Sequence, residues 1–112
     1  MSHRLQRVNE LVKREISQIL LREFEFPKDT LVTVTRVETS IDLNQSKVFL
    51  SVMPERKFSN ISQILNRQIY DLQQMLNKRL KMRPIPRIEF AEEKETKEAG
   101  RIEELLEEIK KK

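Results

Sequence analysis

Apolar residues recur along the chain with two different periods, and each period marks an element. Over residues 4–23, Leu5, Val8, Val12, Ile16 and Ile19 return every three or four positions, which is one face of a helix. At about 100° per residue they fill an arc of roughly 80°. Leu21 points away from that stripe, and the pattern gives it no role. Residues 26–30 predict a turn, because Pro27 cannot continue a helix and Asp29 bonds its own nearby backbone. Residues 31–39 are rich in β-branched side chains and predict a strand. Its alternation slips: Val32 and Val34 share one face, whereas Val37 falls on the other. A bulge near Thr35-Arg36 repairs the phase. Residues 47–53 predict a second strand with Val48, Leu50 and Val52 inward, ended by Pro54. The short link at 42–45 argues for an antiparallel hairpin.

The helical period then returns. Residues 59–82 predict a long helix capped by Ser59 or Asn60, with Ile61, Ile64, Leu65, Leu72, Met75 and Leu76 as its apolar stripe. Arg79 falls on that stripe if the helix is straight, so the helix either frays there or bends. Pro84 ends it. Residues 85–90 predict a short third strand, with Ile88 and Phe90 inward and Arg87 and Glu89 outward; Pro86 fits only at its start or on an edge. Residues 91–95 read as an exposed, charged connector. Thr96 caps a last helix over 96–112, whose Ile102, Leu105, Leu106 and Ile109 stand at i, i+3, i+4 and i+7. The expectation is a single α+β domain spanning residues 1–112.

Charge changes this picture from a generic small domain to a cationic one. Charged residues make up 36% of the chain, and the net charge is only +4, but it is unevenly placed. Residues 1–22 carry +3, residues 23–55 carry −3, residues 56–87 carry +7 and residues 88–112 carry −3. Such local fields attract polyanions more than the net charge suggests. Arg4, Arg7, Arg14 and Arg22 form a stripe opposite the core stripe of the first helix. It suits a phosphate backbone as well as a plain solvent face, with Glu10 and Glu15 partly neutralising its flanks. The densest constellation is Lys78, Arg79, Lys81, Arg83 and Arg87, five cations within ten residues, where a helix gives way to a strand. Arg56, Lys57 and Arg67 extend it. Arginine offers a bidentate fork to phosphate and a flat face to an exposed base.

Other chemistry is scarce. Cysteine is absent, which excludes disulfides and thiol catalysis and fits a reducing cytosol. The one histidine, His3, sits at a chain end, and the one glycine, Gly100, supplies no phosphate-binding loop. The carboxylates of 92–95 and 103–108 fall at positions expected to be exposed, with no convergent scaffold for a metal. No cofactor, metal site or catalytic group is therefore expected. No apolar run is long enough to cross a membrane, and the N-terminus does not read as a signal peptide. Aromatics are 5% of the chain, too few for a base-stacking platform; Tyr70 is the one aromatic expected to be partly exposed on the second helix. Duplex DNA binding is disfavoured by the lack of helix-turn-helix spacing, and no dimer signal is present, so a free monomer is expected.

Several segments together resemble ribosome-binding factor A, a family of bacterial ribosome-maturation proteins. They are residues 7–20, Val32-Thr33-Val34-Thr35-Arg36-Val37-Glu38-Thr39-Ser40-Ile41-Asp42-Leu43, residues 47–52, residues 80–90, and the run Gly100-Arg101-Ile102 with the residues that follow to Ile109. The resemblance implies a KH-like fold of the second type: helix, two strands, a kinked helix, a strand and a C-terminal helix, with helices packed on one face of a three-stranded sheet. It implies no enzymatic activity. It implies binding to the free 30S ribosomal subunit and its 16S rRNA during late maturation, supporting 5′-end processing of pre-16S rRNA, including at low temperature. The family's Ala-x-Gly helix kink falls near Gln68-Ile69-Tyr70 by counting back from Pro86, where neither Ala nor Gly is present. The residues expected to meet RNA are Arg4, Arg7, Arg14, Lys47, Arg67, Lys78, Arg79, Lys81, Arg83 and Arg87. The competing expectation is a protein-interaction module that docks a basic partner through its acidic C-terminal helix.

Overall fold

The stripe of the first segment folds as α1 (His3–Glu23), which buries Val8, Val12, Ile16, Ile19 and Leu20 in a computed structural model that describes residues 3–93. The predicted helix at 96–112 lies outside the described residues. After a turn come β1 (Leu31–Thr39) and β2 (Gln45–Met53), paired antiparallel. The register shifts between Val34 and Arg36, so Thr35 is the extra residue. That bulge is what lets Val34 and Val37, three apart, both point into the core. β3 (Arg87–Glu92) runs parallel to β2, giving the order β1-β2-β3.

The β1–β2 connection is built on Asp42. Its carboxylate accepts hydrogen bonds from the Ser40 hydroxyl at 2.6 Å and from the Asn44 backbone and side chain, each at 3.0 Å. These contacts, the Ser40 hydroxyl first, hold the Asp42 carboxyl below the usual carboxylate range. Leu43 has φ 62°, a left-handed conformation that disfavours a residue with a Cβ. It is held because its side chain is 6% exposed, packed in the core where glycine would contribute nothing.

A 3₁₀ turn (Glu55–Lys57) leads directly into α2 (Phe58–Arg67), followed by α3 (Ile69–Arg79). The long helix expected over 59–82 is therefore two helices. Neither Ser59 nor Asn60 caps it, because the preceding turn already starts the helical path at Phe58. The break is at Gln68, with φ −110° and ψ 18°. Its N–H bonds back to Leu65 at 3.1 Å, a tight i−3 closure, and its carbonyl receives the Leu72 N–H at 2.9 Å to start α3. The kink forms here without Ala or Gly. α3 stops three residues earlier than the proline predicts, because Leu80 turns to extended backbone and buries its side chain in the core.

Ile61, Leu65, Leu72 and Leu76 are fully buried, opposite Val48, Leu50, Val52 and Ile88 of the sheet. Each such side chain contributes about 1.5–3 kcal/mol through removal from water. The opposite sheet face carries Phe49, with the Arg36 guanidinium 3.8 Å from the centre of its ring.

Candidate nucleic-acid interface

Three structural devices set up the cationic corner where α3 gives way to β3. The first is Gln73 of α3. Its Nε2 donates to the Pro86 carbonyl at 3.0 Å and to Asn77 Oδ1 at 3.1 Å, while its Oε1 accepts the Ile88 N–H at 2.9 Å. One amide thus ties the helix to the start of the strand. The second is the Asn44 carbonyl, which accepts the Arg87 N–H at 2.9 Å and fixes where β3 begins. The third is Leu80, whose burial turns the chain out of the helix and sends residues 81–85 along the surface.

Between these anchors, Arg83, Arg87, Gln73, Asn77 and Ile85 line a cleft of about 370 Å³. Arg83 and Arg87 are exposed, and Arg83 Nη1 donates to the neighbouring Met82 carbonyl at 3.1 Å. Lys78 and Lys81 are exposed on the approach to this cleft along the chain. Arg67 is the exposed last residue of α2, immediately before the kink.

Arg79 behaves differently from its neighbours. It does fall on the buried side of the helix, as its place in the stripe requires, and its long stem carries the guanidinium out to α1. There Nη1 donates to Glu15 Oε1 and to Gln18 Oε1, each at 3.2 Å. The other oxygen of Glu15 accepts Arg14 Nε at 3.3 Å. Glu15 is therefore shared between Arg14 of α1 and Arg79 at the end of α3. Arg4 and Arg7 are exposed on the same helix as Arg14. Lys47 shares the exposed sheet face with Arg87, two residues further along the β2–β3 register. It stands on β2 in register between Glu38 of β1 and Glu89 of β3.

Over residues 91–93 the structure overturns the expectation of an exposed connector. β3 continues to Glu92, and Glu93 is 5% exposed. Its carboxylate accepts the Thr35 hydroxyl at 2.7 Å and Arg36 Nε at 2.9 Å, and its N–H bonds to the Leu50 carbonyl at 2.8 Å. Arg36 also reaches Glu38. The hydrogen bond to Glu93 is the main cause that raises the Arg36 pKa above its ordinary value. Among the described residues no group of His, Cys, Asp and Glu is arranged to hold a metal ion, and no helix is long and apolar enough to cross a membrane.

The ribosome-binding factor A family model matches residues 4–106. The chain belongs to that family. Ribosome-binding factor A of Thermodesulfovibrio yellowstonii is 38% identical over 108 residues, covering 96% of this chain and 92% of the relative. The Akkermansia muciniphila protein of the same name is 36% identical over 111 residues, covering 99% and 88%. A crystal structure of ribosome-binding factor A from Thermus thermophilus superposes with a TM-score of 0.69 at 24% identity, over 79% of this chain and 94% of that one. A second Thermus thermophilus structure, described as a homology model fitted into a cryo-EM map of a 30S complex of the factor, gives 0.65 at 27% identity, over 76% and 90%. The α+β fold with its three-stranded mixed sheet matches these structures of ribosome-binding factor A, and the KH-like reading agrees with them.

Of the signals missed in the sequence, Gln73 and Asn77 look like ordinary polar helix positions. Glu93 looks like one more acid in a run of acids. Neither spacing nor composition distinguishes them.

Proposed function

We propose that this protein is a non-enzymatic RNA-binding assembly factor that acts in the cytoplasm on the free 30S subunit and its 16S rRNA during late maturation. Its presence supports 5′-end processing of pre-16S rRNA, including at low temperature. The observation that carries the reading is the exposed series Lys78, Lys81, Arg83 and Arg87, on backbone clamped by Gln73 and Asn44. Arg67 and the α1 residues Arg4, Arg7 and Arg14 widen the footprint, Arg79 positions α3 against α1, and Lys47 makes a peripheral contact. The 30S complex named for the Thermus thermophilus relative supports the choice of subunit.

The mode of recognition is electrostatic. Phosphates neutralised by these side chains release condensed counterions, so log affinity falls roughly linearly with log salt. The test is sucrose-gradient co-sedimentation with purified small subunits at two ionic strengths. Binding that is strong at low salt and falls steeply at high salt is expected, and binding that is flat across the two contradicts the reading. The competing interaction-module reading rests on residues 96–112, which lie outside the described residues.

A further inference from the structure

One exposed aromatic is left without a role by the phosphate contacts proposed above. Tyr70 lies in the first turn of α3 and is 66% exposed. A tyrosine usually takes its ring out of water, and it is only a moderate helix former, so neither burial nor propensity accounts for one here. Among the described residues, no side chain engages its ring or its hydroxyl. Its place on α3 is informative. Residues 70, 73, 74 and 77 share one face of a helix. Gln73 and Asn77 of that face line the cleft with Arg83 and Arg87, and Gln73 is bonded to the start of β3. Tyr70 therefore continues the line of the cleft along α3, about 10 Å from Asn77 at 1.5 Å per residue. Arg67, three positions before Tyr70, is exposed on the other side of the break at Gln68. Asp71 points about 100° away around the helix. The ring thus stands between Arg67 and the two cleft arginines along the course of the helix.

We infer that Tyr70 stacks on an unpaired base of the RNA whose phosphates lie against Arg67, Arg83 and Arg87. The inference rests on the RNA-binding reading and deepens it. Lysine and arginine hold a sugar-phosphate backbone whatever its sequence, paired or not, and that task needs no aromatic. A flat exposed ring answers to the face of a base. Base faces are open where RNA is unpaired, and are covered by their neighbours inside a duplex. Stacking tolerates any sequence, because every base has a π-face. One ring suits one base, so Tyr70 selects for unpaired RNA and not for a sequence. A protein partner also buries tyrosines, but the cations on either side of this one favour a polyanion.

Tyr70 is the one tyrosine of the chain and tryptophan is absent, so the tyrosine emission of the full chain comes from this ring. A single-stranded octaribonucleotide is expected to quench that emission, and a blunt RNA duplex at equal nucleotide concentration is expected to leave it unchanged. In fluorescence anisotropy with dye-labelled RNA, Y70A is expected to weaken octanucleotide binding about tenfold. Its affinity for the duplex stays within about twofold, and the slope of log affinity against log salt is unaltered. Y70F keeps the ring and binds the octanucleotide as the unaltered chain does. The site is exposed, so neither substitution touches the core. Salt-sensitive octanucleotide binding with unquenched emission, or equal losses on both RNAs in Y70A, overturns the inference and leaves the phosphate contacts standing. A Y70A chain that binds the octanucleotide normally but no longer co-sediments with the small subunit overturns it in favour of a protein contact. If neither RNA binds at low salt, the RNA-binding reading falls with it.

Discussion

The two corners of this molecule are built for opposite physics. At the α3–β3 corner, side chains with charged ends stand on a backbone tied down by Gln73 and Asn44. At the α1–β1 corner, leucines and phenylalanines surround a groove lined without charge. The first attracts a polyanion over a distance of about one Debye length, roughly 8–10 Å, and weakens with salt. The second acts only on contact and does not depend on salt in that way. Cationic and apolar surface thus stand on separate corners of one small domain, so each can be altered without the other.

The sharpest way to break that separation is charge reversal. K78E/K81E/R83E is expected to weaken subunit binding by at least about a hundredfold at low salt, because three contacts become three repulsions. L21S/L31S is expected to leave it within about twofold. Equal losses from both variants in co-sedimentation would show that the corners are one surface.

Next in size is the Arg36–Glu93 pair, which ties the end of β3 across the sheet to β1. R36A removes a hydrogen-bonded cation from the buried Glu93 carboxylate and is expected to lower stability by about 3 kcal/mol in urea unfolding. A loss under 1 kcal/mol in that measurement contradicts the anchoring role. Q73L acts at the other corner, removing partners from the Ile88 N–H and the Pro86 carbonyl. It is expected to lower stability by about 1–2 kcal/mol and to loosen RNA binding as Arg83 and Arg87 lose their fixed backbone. Destabilisation with unchanged binding would detach the clamp from the interface.

A finer comparison separates Arg79 from Arg83. R83M is expected to reduce the slope of log affinity against log salt by about 1, as loss of one phosphate contact does. R79M should change the slope less, since its guanidinium is engaged by Glu15 and Gln18. The reverse ranking would place Arg79 on the RNA. The smallest effect concerns Asp42, in the β1–β2 connection at the Arg87 end of the sheet. Its carboxyl is held below the usual range, so its contribution to stability is present above about pH 3.9, the unfolded value. That contribution is lost as pH falls through the lower folded value. D42N should flatten this acid-side loss, and an unaltered acid limb of the stability curve would argue against the assigned hydrogen bonds.

Much of the fold is legible in the sequence because it is encoded by neighbours. The stripe of α1, the hairpin and the misphased Val37 each depend on residues a few positions apart, so periodicity finds them, the bulge at Thr35 included. The density of cations between Lys78 and Arg87 is legible for the same reason. Arg79 gave a partial signal: its place on the apolar stripe announced something unusual, and the structure answers with a partner on another helix.

By itself, the sequence determined the order of helix, hairpin, helical segment and third strand over the described residues, their core faces and the region of high positive charge, since each follows from short-range spacing. Tertiary structure alone decided where the long helix breaks, which cation is engaged by Glu15, and that Glu93 is buried. It also decided that Gln73 clamps a strand. Those outcomes depend on groups as far apart as Thr35 and Glu93, or Glu15 and Arg79, meeting in space. A hydrogen bond or ion pair across such a separation leaves no period in the chain, because only the packing of the whole core sets the distance between its ends.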